Sequence, residues 1–221
     1  YPLNENRLYV KSDDGIEKTI EVIQPYGVAV QGHVLKSTGE SGTQWASGNE
    51  GWVLINTTTA SSVSSVEWTS GIDGTYGVYK LIGYDITSSE NDDILYLRVS
   101  DDGGSTYETT SYKFATTYTA WSDVTHSHGA YGGEDCMFGL NSFGNSTNQE
   151  GVFECTIFNP SSTTQFTKCI YHGMAENHGG NPTSHIGFGQ FDSTADVDAL
   201  KIVFNDGNVS GVFKLYGLSG S

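Results

Sequence analysis

Alternation of apolar and polar residues with a period of two constrains the fold of this chain most strongly. In residues 93–107, Leu95, Leu97 and Val99 fall on one face of an extended strand. The sequence Asp-Asp-Gly-Gly follows at 101–104, and these residues tolerate the positive φ angles of a tight turn. The stretch therefore predicts a hairpin, with a second strand directly after the turn.

The same alternation recurs along the chain and predicts an all-β protein. The predicted strands cover residues 7–11, 18–24, 27–36, 52–56, 63–69, 78–86, 94–100, 106–115, 136–140, 152–158, 165–172, 185–191, 200–205 and 212–218. Many short strands separated by turn residues favour an antiparallel β-sandwich of jelly-roll type, with an orthogonal barrel as the alternative. No segment repeats at a fixed period, which argues against a β-helix or a propeller. Helix is predicted nowhere beyond a turn or two at 194–200.

The first fifty residues differ from the rest. Their three predicted strands are followed by a small, polar stretch at 37–43 that has the composition of a linker. We therefore expect residues 1–50 to form an N-terminal β arm or small β-element, and residues 51–221 to form the sandwich domain. The alternative is that the early strands join the main sheets.

The charge balance argues against two classes of partner. Ten Lys and Arg residues face 26 Asp and Glu residues, which gives a formal net charge of −16. A field of that sign repels phosphate backbones and anionic lipid head groups. No apolar run approaches the roughly 20 residues of a membrane-spanning helix. We expect neither nucleic acid nor a membrane as a partner.

Three cysteines leave the disulfide question open. Cys155 and Cys169 lie in two predicted strands that are joined by a turn at 159–162, while Cys136 lies elsewhere. Across such a hairpin, Cys155 and Cys169 form either a disulfide or a pair of buried thiols.

The candidate metal ligands do not form a recognisable set. His126 and His128 share one face of a strand at their spacing, and His172, His178 and His185 follow in Gly- and Asn-rich sequence. No spacing fixes a third ligand. Acidic residues at 89–93 and at Asp192, Asp196 and Asp198 invite a calcium site, yet they lack the Asp/Asn ladder of an EF-hand loop and are explained by turns. We therefore predict no metal and no other cofactor.

Catalytic motifs are missing from the sequence. It contains no Gly-x-Ser-x-Gly, His-Glu-x-x-His, phosphate-binding Gly-rich loop or Cys-x-x-Cys motif. The chain is therefore not expected to be an enzyme, although the two carboxylates of a glycosidase leave no signature in so acidic a chain. Tyr118, Trp121 and Tyr131 are candidates for a sugar-stacking surface, the alternative being that they pack in the core.

Three stretches, at 61–81, 95–107 and 198–218, together resemble a family of bacteriophage virion structural proteins. The first is a Ser-rich strand that ends in Glu-Trp-Thr, followed by an Ile-Asp turn and a Tyr-x-x-Tyr strand. The second, Leu-Tyr-Leu-Arg-Val-Ser-Asp-Asp-Gly-Gly-Ser-Thr-Tyr, is similar to the central hairpin of that family. The third is similar to its closing hairpin, which ends in Leu-Tyr-Gly. The match covers about residues 51–221 and excludes the His-rich stretch between Trp121 and Glu134.

The resemblance implies a non-enzymatic role in the virion, as a capsid decoration protein or a tail-fibre or tail-tip component. The expected partners are copies of the chain itself, as homotrimers, and other virion proteins. The apolar stretch Ile23–Val30 has no evident place in a lone domain, which favours an arm that contacts a neighbouring subunit. The alternative is a secreted or virion-borne carbohydrate-binding module for host-surface glycans.

Overall fold

The structure is a computed structural model. It describes residues 7–11, 17–21, 33–37, 43–47, 51–121 and 123–220, with the backbone alone for the strands before residue 51 and for 123–134. Within this part of the chain all regular secondary structure is β-strand, and every strand pair is antiparallel. The predicted all-β antiparallel class is confirmed. The chain divides into two compact units, Tyr1–Gly48 and Asn49–Ser221.

The described part of the first unit contains two antiparallel strand pairs. β1 (Arg7–Lys11) pairs with β2 (Glu17–Glu21), and β3 (His33–Ser37) pairs with β4 (Thr43–Ser47). β1 matches the prediction in full, and β4 is a strand that the sequence analysis missed. Of the predicted linker at 37–43, Ser37 ends β3 and Thr43 begins β4. Residues 38–42 and the apolar stretch 23–30 lie outside the described residues.

The second unit contains twelve described strands in two sheets. They are β5 (Trp52–Val63), β6 (Val66–Trp68), β7 (Val78–Ser88), β8 (Asp93–Ser100), β9 (Tyr112–Ala120), β10 (Asp123–Glu134), β11 (Phe138–Phe143), β12 (Gly151–Phe158), β13 (Lys168–Glu176), β14 (Pro182–Phe191), β15 (Ala199–Phe204) and β16 (Val209–Leu218). The larger sheet has eight strands in the order β10-β9-β14-β13-β12-β7-β16-β5, and the smaller has four in the order β11-β8-β15-β6.

One hydrophobic core joins the two sheets. Leu95, Leu97 and Val99 of the smaller sheet, which were predicted to share one face of their strand, are buried in this core. Aromatic rings contact one another from sheet to sheet. The ring of Phe138 in β11 lies 5.6 Å from that of Phe153 in β12, as measured between centroids. Burial of these apolar surfaces is the main force that holds the two layers together.

The predicted central hairpin is wrong. The turn at 101–104 forms, with φ of 74° at Gly103 and 83° at Gly104, but no strand follows it until Tyr112. β8 and β9 then belong to different sheets. The buried Tyr112 anchors this crossing, because its hydroxyl accepts a hydrogen bond from the Val99 N–H at 2.9 Å. The turn residues specify a change of direction and leave the choice of strand partner to packing.

The predicted closing hairpin is wrong for the same reason. β15 pairs with β8 and β6, whereas β16 pairs with β5 and β7 in the other sheet. The predicted helical turn at 194–200 is wrong as well, since those residues form a bend, irregular backbone and the start of β15. β10 was not predicted because its Gly- and His-rich sequence has low strand propensity. Its pairing with β9 stabilises the strand despite that low propensity.

Candidate functional site

The structure does not gather the described histidines into one place. His172 is exposed on the outer side of β13, whereas His185 is buried on the inner side of β14. His178 lies in the connection between these strands, and its N–H donates to Asp92 at 3.1 Å. His126 and His128 pair with Thr119 and Thr117 in the β9–β10 ladder, and their side chains lie outside the described part. Among the side chains that the structure describes, no three His, Cys, Asp or Glu residues group as metal ligands.

His185 is a core residue rather than a solvent-facing ligand. Its ring lies 5.0 Å from the ring of Tyr118, its partner on β9, as measured between centroids. Burial disfavours the charged imidazolium and lowers the pKa of His185 to about 4. The side chain is therefore neutral at physiological pH.

The two cysteines of the β12–β13 hairpin are buried thiols. The predicted pairing of their strands is confirmed, but Cys155 stands opposite Tyr171, and Cys169 stands opposite Ile157. The cysteines are thus diagonal neighbours, a relation that places Cα atoms about 7–8 Å apart, beyond the usual range for a disulfide. Burial, followed by the neighbouring Cys169 thiol, raises the pKa of Cys155.

The acidic stretch 89–93 forms a turn and not an open ion site. The Asp93 side chain is buried and accepts hydrogen bonds from the Ser88 hydroxyl at 2.6 Å and from the Gly207 N–H at 2.8 Å. It also accepts from the N–H groups of Ile94 at 2.8 Å and Asp206 at 3.2 Å. Its oxygens thereby join the β7–β8 connection to the β15–β16 connection.

Other acidic residues stabilise turns in the same way. Asp102 accepts from the hydroxyl of Thr106 at 2.7 Å and from its N–H at 2.8 Å, and these bonds lower the pKa of Asp102 to about 2. Asp198 accepts from the Gly103 N–H at 2.9 Å. Asp192 forms an ion pair with Lys113 at 2.6 Å, which contributes to its lowered pKa.

The predicted sugar-stacking residues are placed differently from one another. Trp121 is 82% exposed directly after β9, while Tyr118 is partly buried beside His185. The side chain of Tyr131 lies outside the described part of the chain. Of the three, Trp121 presents an accessible ring.

Among the described side chains of the second unit, an accessible apolar surface lies on the outer side of β12, β13 and β14. It consists of Val152, Ile170, Met174, Ile186 and Phe188, which are between 43% and 63% exposed. The ladder places Val152 opposite Met174 and Ile170 opposite Phe188, so these side chains form one continuous surface. We call these five residues the outer patch. Monomeric proteins seldom leave such a surface in water, and its usual purpose is contact with another molecule.

The outer patch was not predicted, although the sequence contains a signal for it. The odd positions of 168–176 include the apolar residues Tyr171 and Ala175. Two of the five even positions, Ile170 and Met174, are also large and apolar, and the other three are Lys, His and Glu. A strand with one face in water needs only one apolar set. The second set marks a face that contacts something else.

No protein-family model, curated protein or solved structure matches this chain. Its resemblance to bacteriophage virion proteins remains a prediction that rests on the stretches 61–81, 95–107 and 198–218. Within the described residues there is no helix long and apolar enough to cross a membrane.

Proposed function

We propose that this chain is a non-enzymatic structural component of a bacteriophage particle that assembles with copies of itself and with other virion proteins. The observation that carries the proposal is the outer patch, an apolar surface outside a body whose core is already closed. The resemblance of residues 51–221 to virion proteins supplies the setting, as a capsid decoration protein or a tail-fibre or tail-tip component. The expected location is therefore the virion.

The proposal includes a jelly-roll type of sandwich with an N-terminal arm. It is supported by the alternation of β5 to β9 between the two sheets, since jelly-roll chains also cross repeatedly from sheet to sheet. The strand pairs β1–β2 and β3–β4 form a unit of their own before the body, which suits an appendage.

Purified particles provide the direct test of a virion role. Mass spectrometry of density-gradient-purified phage, grown from the genome that encodes this chain, should find it at high copy number relative to the portal protein. Its absence from washed particles, with the chain present in the lysate, contradicts the proposal.

The predicted homotrimer depends on the arm. Deleting residues 1–36 should reduce the mass measured by light scattering, because the deletion removes the apolar stretch 23–30. An unchanged mass rejects the arm as the assembly element while leaving the outer patch as the remaining candidate.

Exposed Trp121 favours a second candidate function, a carbohydrate-binding module for host-surface glycans. Binding on a glycan array that disappears in Trp121→Ala supports it. Trp52→Ala is the matched control, because that ring is 39% exposed and is already covered by the Lys80 ammonium, 4.7 Å from its centroid. A polysaccharide depolymerase is tested in the same preparation by the release of reducing ends, which the structural proposal expects not to occur.

A further inference from the structure

The outer patch is bounded by two charges of opposite sign at the two ends of β13. Lys168 is the first residue of this strand and Glu176 is its last. Neither belongs to an ion pair with another described residue. Between them, Ile170, His172 and Met174 point outward. At about 3.4 Å per residue, the two charges are separated by about 27 Å along the strand.

This order of side chains is complementary to itself. Consider two copies whose outer patches face each other, with a two-fold axis between the two sheets. The axis runs perpendicular to the strands at the level of His172, so β13 of the second copy runs in the opposite direction. Lys168 of each copy then lies over Glu176 of the other, and Ile170 lies over Met174. Since the same surface serves both copies, the contact closes on itself and forms a discrete pair.

The neighbouring strands fit the same arrangement. The ladder places Ile186 level with His172, so that Ile186 meets its own counterpart in the second copy. Glu154 is also level with His172, but Lys80 already neutralises it at 2.8 Å. The contact therefore brings no pair of uncompensated carboxylates together.

Charge selects this axis over the alternative. A two-fold axis that runs along the strands over β13 places Lys168 over Lys168 and Glu176 over Glu176, which is repulsive at both ends. The crossing axis replaces those contacts with two attractive pairs. Face-to-face sheets also pack well with their strands nearly aligned, as this arrangement requires.

We infer that the outer patch is a two-fold interface with a second copy of this chain, in which Lys168 of each copy pairs with Glu176 of the other. The inference rests on the proposed self-assembly of the chain and names the surface that performs it. Burial of the five apolar side chains supplies the attraction, and the two charges fix the orientation.

A charge swap within one chain tests the interface. Sedimentation equilibrium of the full chain measures the association step that doubles the mass. This step can start from a single chain or from a larger oligomer. Lys168→Glu and Glu176→Lys should each weaken that step at least about tenfold, because each puts like charges at both ends. The double variant should restore it, since the exchanged charges again meet opposite partners.

Val203→Lys is the matched control, because Val203 lies on the outer side of β15 in the other sheet and should leave the doubling unchanged. A wild-type chain that never doubles, single variants that double normally, or a double variant no better than the single ones overturns the inference. The last of these means that Lys168 and Glu176 do not face each other across the contact. A virion role fails separately, by absence of the chain from purified particles.

Discussion

At the scale of single residues, buried polar groups decide where connections go. Asp93 and His185 are both among the few polar residues buried in the second unit, yet their surroundings differ. Asp93 is surrounded by donors, while His185 lies against an aromatic ring. The first holds two loops together, and the second makes the core sensitive to acid.

Replacing Asp93 should destabilise the fold markedly. Asp93→Asn puts an NH₂ group against the donors of Ser88 and Gly207, and we expect unfolding to become easier by about 2–3 kcal/mol. Urea denaturation measures the change. Asp101→Asn, at an exposed carboxylate in the next turn, is the control and should change stability by less than about 0.5 kcal/mol. Equal effects of the two substitutions contradict the role of Asp93.

His185 should make stability depend on pH. Its pKa in the folded state is about 4, below the ordinary value of 6.5, so acid protonates the unfolded chain first and favours unfolding. The free energy of unfolding therefore falls with acid. The decrease is absent above pH 7, grows as pH falls through 6.5, and is complete below about pH 4, where it amounts to roughly 3 kcal/mol. Denaturation at pH 7 and pH 4 should show a smaller pH effect in His185→Asn than in the wild type. The exposed His172→Asn should retain the full effect, and a retained effect in both variants excludes His185 as the cause.

At the scale of strands, the sequence predicts where the strands lie better than it predicts which strands pair with each other. Period-two alternation located β8, β12 and β16 within a few residues, because burial of one face directly requires that pattern. The hairpin predicted from the turn at 101–104, and the closing hairpin implied by the resemblance at 198–218, are both crossings between sheets. Local turn chemistry at 101–104 is the same whether the next strand pairs with the previous one or with a distant one. The outcome depends on long-range packing around residues such as Tyr112.

Phe138 is the strand-scale test of the two-layer arrangement. Its ring stacks on Tyr171 with centroids 4.8 Å apart and also contacts Phe153, so it connects β11 to both β12 and β13. Phe138→Ala should destabilise the protein by about 3–5 kcal/mol in urea denaturation. The matched control is Trp121→Ala, at a ring that is 82% exposed and lies outside the outer patch, with an expected change within about 0.5 kcal/mol. A Phe138 effect as small as that of Trp121 contradicts the shared core.

At the scale of the whole molecule, the outer patch could be recognised only in the structure. The three aromatic residues chosen for a glycan surface are not equivalent, since only Trp121 among the described ones is openly exposed. The outer patch required knowledge that β12, β13 and β14 are neighbours, because its residues come from three strands. Its two terminal charges acquire meaning only when a second copy is considered.

Sedimentation equilibrium of the full chain over a wide concentration range measures self-assembly directly. A single chain has a mass of 23.8 kDa. We expect the protein to sediment as a multiple of this mass, and Lys168→Glu to shift it to smaller species. A mass of one chain at every concentration contradicts the central claim that this protein assembles through its outer sheet face.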